Sequence, residues 1–150
     1  MLRVIQPGLA GLMDGSISSL APLFAAALAT RDSRTAFVVG MATSVGAGVS
    51  MAFAEALSDD GRLSGRGSPW ARGSITGVMT FAGGVGHTLP FLIPDFRLAM
   101  SVAVLVVAVE LWVIAWVRHR YMGTRLLSAA VQVVIGGLIV FLAGVLIGSS

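Results

Sequence analysis

Three long stretches of this 150-residue chain contain no aspartate, glutamate or arginine, and they constrain the fold more than any other feature. They cover residues 35–54, 73–94 and 126–150. Each is long enough to cross the hydrocarbon core of a bilayer, which takes about 20 helical residues. Two more apolar segments, residues 11–30 and 98–117, are interrupted only by Asp14 and Glu110.

These runs predict an all-α membrane protein with a single domain, because backbone polar groups in lipid must be satisfied within a helix or a closed barrel. We expect five transmembrane helices, at about residues 11–30, 36–57, 74–93, 98–117 and 126–148. Pro22 removes a hydrogen bond to the Ser18 carbonyl and should kink the first helix. The composition agrees: 56% of the residues are hydrophobic, 11% are charged, and the mean hydropathy is +0.91. A soluble globular domain is usually far more polar.

Several function classes fit the composition poorly. There is no cysteine, so the chain has neither disulfides nor thiolate metal ligands. The arginines lie in short segments between spans, which does not favour binding to nucleic acid. No nucleophile–base motif, phosphate-binding glycine loop or metalloprotease motif is present, so we expect neither an enzyme nor a bound cofactor.

The distribution of arginine predicts the orientation in the membrane. One side of the predicted bundle carries seven arginines and the other carries three, and positive charge favours the cytoplasmic side. The seven are Arg3, Arg62, Arg66, Arg72, Arg118, Arg120 and Arg125, and the three are Arg31, Arg34 and Arg97. This places the N-terminus in the cytoplasm. Bacterial origin is indicated by the use of arginine as the sole basic residue besides histidine.

Ionisable residues within a span are costly and therefore mark functional sites. The predicted spans contain four of them: Asp14, Glu55, His87 and Glu110. The predicted topology places the three carboxylates in the cytoplasmic half, where we expect them to converge, and places His87 nearer the outer face.

On the second helix Ser44, Gly48, Met51 and Glu55 are spaced so that they share one face. Oxygen, nitrogen and thioether donors without thiolate suit a borderline divalent metal such as Fe²⁺ or Mn²⁺. Carboxylates in a membrane also suit coupling to protons. The residues alone therefore predict a divalent-cation pathway in which Asp14, Glu55, His87 and Glu110 are candidates for metal or proton binding, with Met51 on the same face as Glu55.

Each of these residues also has a structural interpretation. Asp14 fits an interfacial position with its carboxylate in water, and Met51 fits ordinary packing. Glu110 fits an ion pair with Arg118 or Arg120, and His87 fits a hydrogen bond to backbone loosened by neighbouring glycines. If these interpretations hold, the chain is a membrane scaffold or subunit that does not transport.

Four segments resemble the vacuolar iron transporter family, and in particular the membrane domain of bacterial membrane-bound ferritins. They are GLMDGSISSLAPLFAAALAT at 11–30, VGMATSVGAGVSMAFAEALSDDGRLSGRGSPWARG at 39–73, GGVGHTLPFLI at 83–93 and RHRYMGTRLLSAAVQVVIGG at 118–137. The resemblance implies a five-helix homodimer in the bacterial inner membrane that exports iron in exchange for protons. It matches Asp14, Met51 and Glu55 to the family's pathway aspartate, methionine and glutamate.

Two departures from that family bear on how metal reaches the pathway. Some members carry a glutamate-rich metal-collecting domain between the second and third helices, where this chain has only residues 59–73. The membrane-bound ferritins carry a ferritin-like domain before the first helix, and this sequence has none. We therefore expect a stand-alone transporter domain without a soluble metal-binding domain, a chain that works with a separate ferritin-like partner, or a fragment of a longer product.

Overall fold

The computed structural model describes residues 4–61 and 65–150, and every regular element in these ranges is a helix. The helices are α1 (Ile5–Ser18), α2 (Leu20–Thr30), α3 (Ser33–Ser58), α4 (Pro69–Gly86), α5 (Phe96–Met122) and α6 (Leu126–Ser149), with a 3₁₀ turn at Leu89–Leu92. Arg3 and Arg62, which contribute to the predicted orientation, lie outside the described residues. The expected all-α architecture is confirmed for this part of the chain.

Four of these elements are long and apolar enough to cross a membrane: the combined α1–α2 segment Ile5–Thr30, α3, α5 and α6. The chain is therefore a membrane protein. Large apolar side chains on its outer faces, such as Val38, Leu105 and Leu146, are well exposed and suit contact with lipid. Helix α4 has 18 residues and does not meet the same criterion of length and apolarity.

Local sequence explains where the helices begin and end. Asp32, Ser68 and Asp95 are the N-caps of α3, α4 and α5, and each side chain accepts a hydrogen bond from a backbone N–H three residues on. Hydrogen bonds from the Thr35 hydroxyl and the Thr35 backbone N–H lower the pKa of Asp32. At the far end of α4, Pro90 cannot continue a helix, and the chain turns at His87 and Thr88 into the 3₁₀ segment.

The first span is interrupted at Ser19, which separates α1 from α2. Pro22 lies three residues further on and has no N–H to give to the Ser18 carbonyl. The distortion expected from Pro22 is thus present, and it places Ser19, which is fully buried, at the junction of the two segments.

Helix α4 packs between α1 and α3 through glycines that let the backbones approach closely. Gly11 and Gly15 lie against the backbone of Thr76 and Thr80 on α4, so α1 and α4 run in the same direction. Gly77 lies against Gly48 and Ala52 of α3, which runs the opposite way. Helix α6 packs along α2, and Phe24 of α2 meets Phe141 of α6 edge to face with ring centroids 4.8 Å apart.

Gly15→Ala is expected to destabilise the protein. A Cβ at Gly15 would overlap the Thr80 carbonyl and come within 2.9 Å of the Thr80 Cα, and backbone atoms cannot move aside as a side chain can. Overpacking of this kind costs about 1–3 kcal/mol. The thermal unfolding midpoint of the purified protein in detergent measures the effect.

Gly136→Ala is the matched control for that substitution, because nothing lies within 4 Å of a Cβ at Gly136. We expect its unfolding midpoint to equal that of the wild type. A Gly15→Ala protein as stable as the Gly136→Ala protein would contradict the close contact between α1 and α4.

Candidate functional site

Glu55 lies in an ion-pair cluster at the end of α3. Its Oε1 accepts hydrogen bonds from Arg72 Nε at 2.8 Å and from Arg66 Nη2 at 2.9 Å. Arg72 also donates to the carbonyls of Gly67 and Asp59, at 3.0 and 2.9 Å. Only 1% of the Arg72 side chain is exposed, compared with 25% for Arg66 and 17% for Glu55. The cluster therefore ties the α3–α4 connection to both helices.

This cluster constrains what Glu55 can do. Two guanidinium groups already compensate its charge, and a metal cation at the same carboxylate oxygen would be repelled by both. Arg66 is the more exposed of the two, and its Nη2 lies 2.9 Å from Glu55 Oε1. A metal ion at Oε1 would therefore have to displace Arg66, the more exposed of the two partners.

His87 and Glu110 form a second polar group, deeper in the helix bundle. His87 Nδ1 lies 2.8 Å from Glu110 Oε2, and His87 Nε2 lies 2.8 Å from Ser19 Oγ. Ser19 Oγ also donates to the Gly15 carbonyl at 2.6 Å. His87 is fully buried, whereas 17% of the Glu110 side chain is exposed. The group links α5, the end of α4 and the α1–α2 junction.

Asp14 has a different environment. It is half-buried on α1, and no side chain in residues 4–61 or 65–150 forms a hydrogen bond or an ion pair with its carboxylate. An unpaired carboxylate in an apolar helix is costly, so its retention favours a functional role. Met51 is also half-buried, on the neighbouring helix α3.

The helix contacts set the relative heights of Asp14, Met51 and Glu55. Gly11 lies against Thr76, and the adjacent Gly77 lies against Gly48 and Ala52, so Gly11 and Met51 are at similar heights. Asp14 is about one turn, roughly 5 Å, beyond Gly11 on α1, and Glu55 is about one turn from Met51 in the opposite direction. Along the helix axes, Met51 is therefore about one turn from Asp14 on one side and about one turn from Glu55 on the other. The three residues lie on α1 and α3, which contact each other.

The three carboxylates do not converge as the sequence analysis expected. Within the described ranges, no three histidine, aspartate or glutamate side chains form a group that could hold a metal ion. Glu110 pairs with His87 rather than with Asp14, Glu55, Arg118 or Arg120. Arg118 instead donates to the Gln132 side chain at 3.3 Å.

Two residues of these groups were not singled out from the sequence. Arg72 precedes the helix predicted from residue 74, but it lies in α4, which begins at Pro69, and it is buried. Ser19 gave no signal in the sequence beyond its position three residues before Pro22. Both acquire their roles from residues distant in sequence.

Comparisons of this chain with models of protein families, with curated proteins and with solved structures find no match.

Proposed function

We propose that this protein is a membrane transporter that moves a divalent metal, Fe²⁺ or Mn²⁺, out of the cytoplasm in exchange for protons. Asp14, Met51 and Glu55 bind the ion successively as it passes. The observation that carries the proposal is the unpaired Asp14 carboxylate, at about one helical turn from the height of Met51 and two from that of Glu55.

The donor types support this assignment. Carboxylate oxygens and a thioether sulfur, with no thiolate, match the preferences of Fe²⁺ and Mn²⁺ better than those of softer metals. Successive sites with few ligands each also suit transport, because an ion must leave as readily as it enters.

In this proposal α4 is the remaining span and completes a five-helix bundle, with the N-terminus in the cytoplasm of a bacterium and the protein in its inner membrane. The functional unit is a homodimer. Metal reaches Glu55 from a separate ferritin-like partner when Arg66 swings away. The five helices and the homodimer are what the resemblance of residues 11–30 and 39–73 to vacuolar iron transporters implies, whereas the movement of Arg66 rests on its exposure and its contact with Glu55.

The second candidate is a membrane scaffold that does not transport. It is favoured by the double ion pair of Glu55, which gives that residue a structural role without any metal. The scaffold interpretation predicts that cells tolerate neutralisation of Asp14 and Glu55 with no loss of resistance to excess iron.

Transport into liposomes tests the proposal. The wild-type protein is reconstituted and metal flux is followed for Fe²⁺, Mn²⁺, Zn²⁺ and Mg²⁺, with and without a pH gradient. We expect flux of Fe²⁺ or Mn²⁺ well above that of protein-free liposomes, accelerated by the gradient. Flux equal to that of protein-free liposomes for every metal would leave the scaffold as the better account.

A further inference from the structure

Glu110, His87, Ser19 and the Gly15 carbonyl form a continuous chain of hydrogen bonds. The three links measure 2.8 Å from Glu110 Oε2 to His87 Nδ1, 2.8 Å from His87 Nε2 to Ser19 Oγ, and 2.6 Å from Ser19 Oγ to the Gly15 oxygen. Ser19 and His87 are fully buried. Bulk water therefore cannot replace a missing hydrogen in the bonds that join His87 to Ser19 and Ser19 to the Gly15 carbonyl.

The direction of each hydrogen bond follows from the last link. The Gly15 carbonyl can only accept, so the single hydrogen of the Ser19 hydroxyl points towards it. Ser19 must then accept from a hydrogen on His87 Nε2. With Nε2 protonated, the contact between Nδ1 and Glu110 Oε2 needs a hydrogen of its own, because otherwise two lone pairs would face each other at 2.8 Å.

The pair therefore holds one proton more than a neutral imidazole beside a carboxylate. It is either an imidazolium with a carboxylate or an imidazole with a carboxylic acid. We propose that His87 and Glu110 together bind one transported proton, and that Ser19 transmits the occupancy of this site to the Gly15 carbonyl, next to Asp14. This inference extends the proposed exchange of metal for protons by assigning the proton site.

Loss of the proton has a defined consequence for Ser19. One proton leaves to water at the exposed edge of Glu110, so the ring keeps a single hydrogen. At equilibrium this hydrogen lies on Nδ1 rather than on Nε2, because only the Nδ1–H tautomer donates to the Glu110 carboxylate and avoids two facing lone pairs. Nε2 then carries a lone pair, so the Ser19 hydroxyl turns its hydrogen from the Gly15 carbonyl to Nε2. The Gly15 carbonyl loses this bond at the junction where Ser19 interrupts the first span. Gly15 follows Asp14 directly, so the change occurs beside the proposed metal ligand.

The surroundings leave Glu110 as the charged partner of His87. Helix α3 has the neutral Ser44 at this height, while its ionisable residues Arg34 and Glu55 lie near its two ends, where Glu55 is paired with arginines. Helix α6, Leu126–Ser149, has no ionisable side chain. On α4 the nearest is Arg72, about four turns away. On α1 the nearest ionisable residue is Asp14. After the 3₁₀ turn, the nearest ionisable residues are Asp95 and Arg97.

The site is also shaped for the Glu110 carboxylate. A Cβ at Gly86 would overlap Glu110 Oε1, so any other residue there would displace the carboxylate. A Cβ at Gly84 would lie 3.3 Å from Ser19 Oγ and closer still to Ser44 Oγ. The two glycines thus leave room for the hydrogen-bonded chain.

Nuclear magnetic resonance of ¹⁵N-histidine tests the proton site in the full chain. His119→Gln removes the second of the two histidines, so only His87 is observed. At neutral pH we expect Nε2 to carry one hydrogen and either Nδ1 or Glu110 to carry a second hydrogen. A second hydrogen on Glu110 would be detected as a carboxylic acid band in the infrared spectrum. At alkaline pH the neutral Nδ1–H tautomer of His87 should replace this doubly protonated form of the pair. The Nδ1–H tautomer at every pH from mildly acidic to mildly alkaline would overturn the proposal.

Two variants test the coupling. Glu110→Gln keeps the size of the side chain but removes the anion, so a buried imidazolium loses its partner and the second proton should be absent at neutral pH. In liposomes its metal flux should respond less than about twofold to a pH gradient, compared with a response of at least about fivefold in the wild type.

Ser19→Ala separates proton binding from its transmission. The His87 spectrum should still show the bound proton, while the response of flux to the gradient is lost. A full response of flux in Ser19→Ala would overturn the role of Ser19. If the wild type carries no metal at all, the proposed function fails, whereas the ¹⁵N spectra still decide whether His87 and Glu110 bind a proton.

Discussion

Arg72→Ala is expected to leave little folded protein, because Arg72 holds the α3–α4 connection together. The substitution removes the buried partner of Glu55 and strands the carbonyls of Asp59 and Gly67. Removing one member of a buried pair costs about 3–5 kcal/mol. That is a large part of the 5–15 kcal/mol, in order of magnitude, that stabilises a typical domain. The yield of monodisperse protein and its unfolding midpoint in detergent measure the effect.

Arg66→Ala is the matched control, since Arg66 contacts the same Glu55 oxygen but is one-quarter exposed. An exposed ion pair contributes about 0–1 kcal/mol, so this variant should fold normally. Arg72→Lys should behave more like Arg72→Ala, because an ammonium group cannot form the forked contacts of a guanidinium. Equal stability of the Arg72→Ala and Arg66→Ala proteins would show that burial of Arg72 contributes nothing to stability.

Much of the fold follows from local hydrophobicity. The predicted helix at residues 126–148 matches α6, Leu126–Ser149, because an uninterrupted apolar run has few alternatives in a membrane. The caps of α3 and α5 also come from single residues, Asp32 and Asp95. Apolar spans and helix caps depend on residues close together in the sequence, so they can be predicted from the sequence.

The polar groups depend on contacts between distant helices, and these were harder to predict. The expected end of the fourth span at residue 117 put Glu110 near the cytoplasmic end. Helix α5 continues to Met122, which moves Glu110 towards the middle of its helix and into contact with His87. Arg72 lies near a segment rich in glycine and serine, and its burial could be foreseen only from knowledge that Glu55 and the Asp59 carbonyl would meet it.

Asp14→Asn is expected to slow metal flux by at least about tenfold while leaving the fold intact. Asparagine has nearly the same shape as aspartate, and the Asp14 carboxylate has no partner to lose among the described residues. The charge that would attract the cation in a medium of low dielectric is gone, and a tenfold change corresponds to about 1.4 kcal/mol. Glu55→Gln is a less specific test, because it also weakens the ion pairs with Arg66 and Arg72.

The comparison needs a control that also neutralises a carboxylate. Asp95→Asn does so at the N-cap of α5, and asparagine serves as well as aspartate at an N-cap. Its flux should equal that of the wild type. Reduced flux in both variants would indicate a general effect of charge on the protein rather than a role for Asp14.

The most direct measurement is the initial rate of Fe²⁺ flux into liposomes that contain equal amounts of folded wild-type, Asp14→Asn or Asp95→Asn protein. The transporter proposal predicts rapid flux with the wild type and with Asp95→Asn, and flux close to that of protein-free liposomes with Asp14→Asn. Equal rates for the wild type and Asp14→Asn would contradict it.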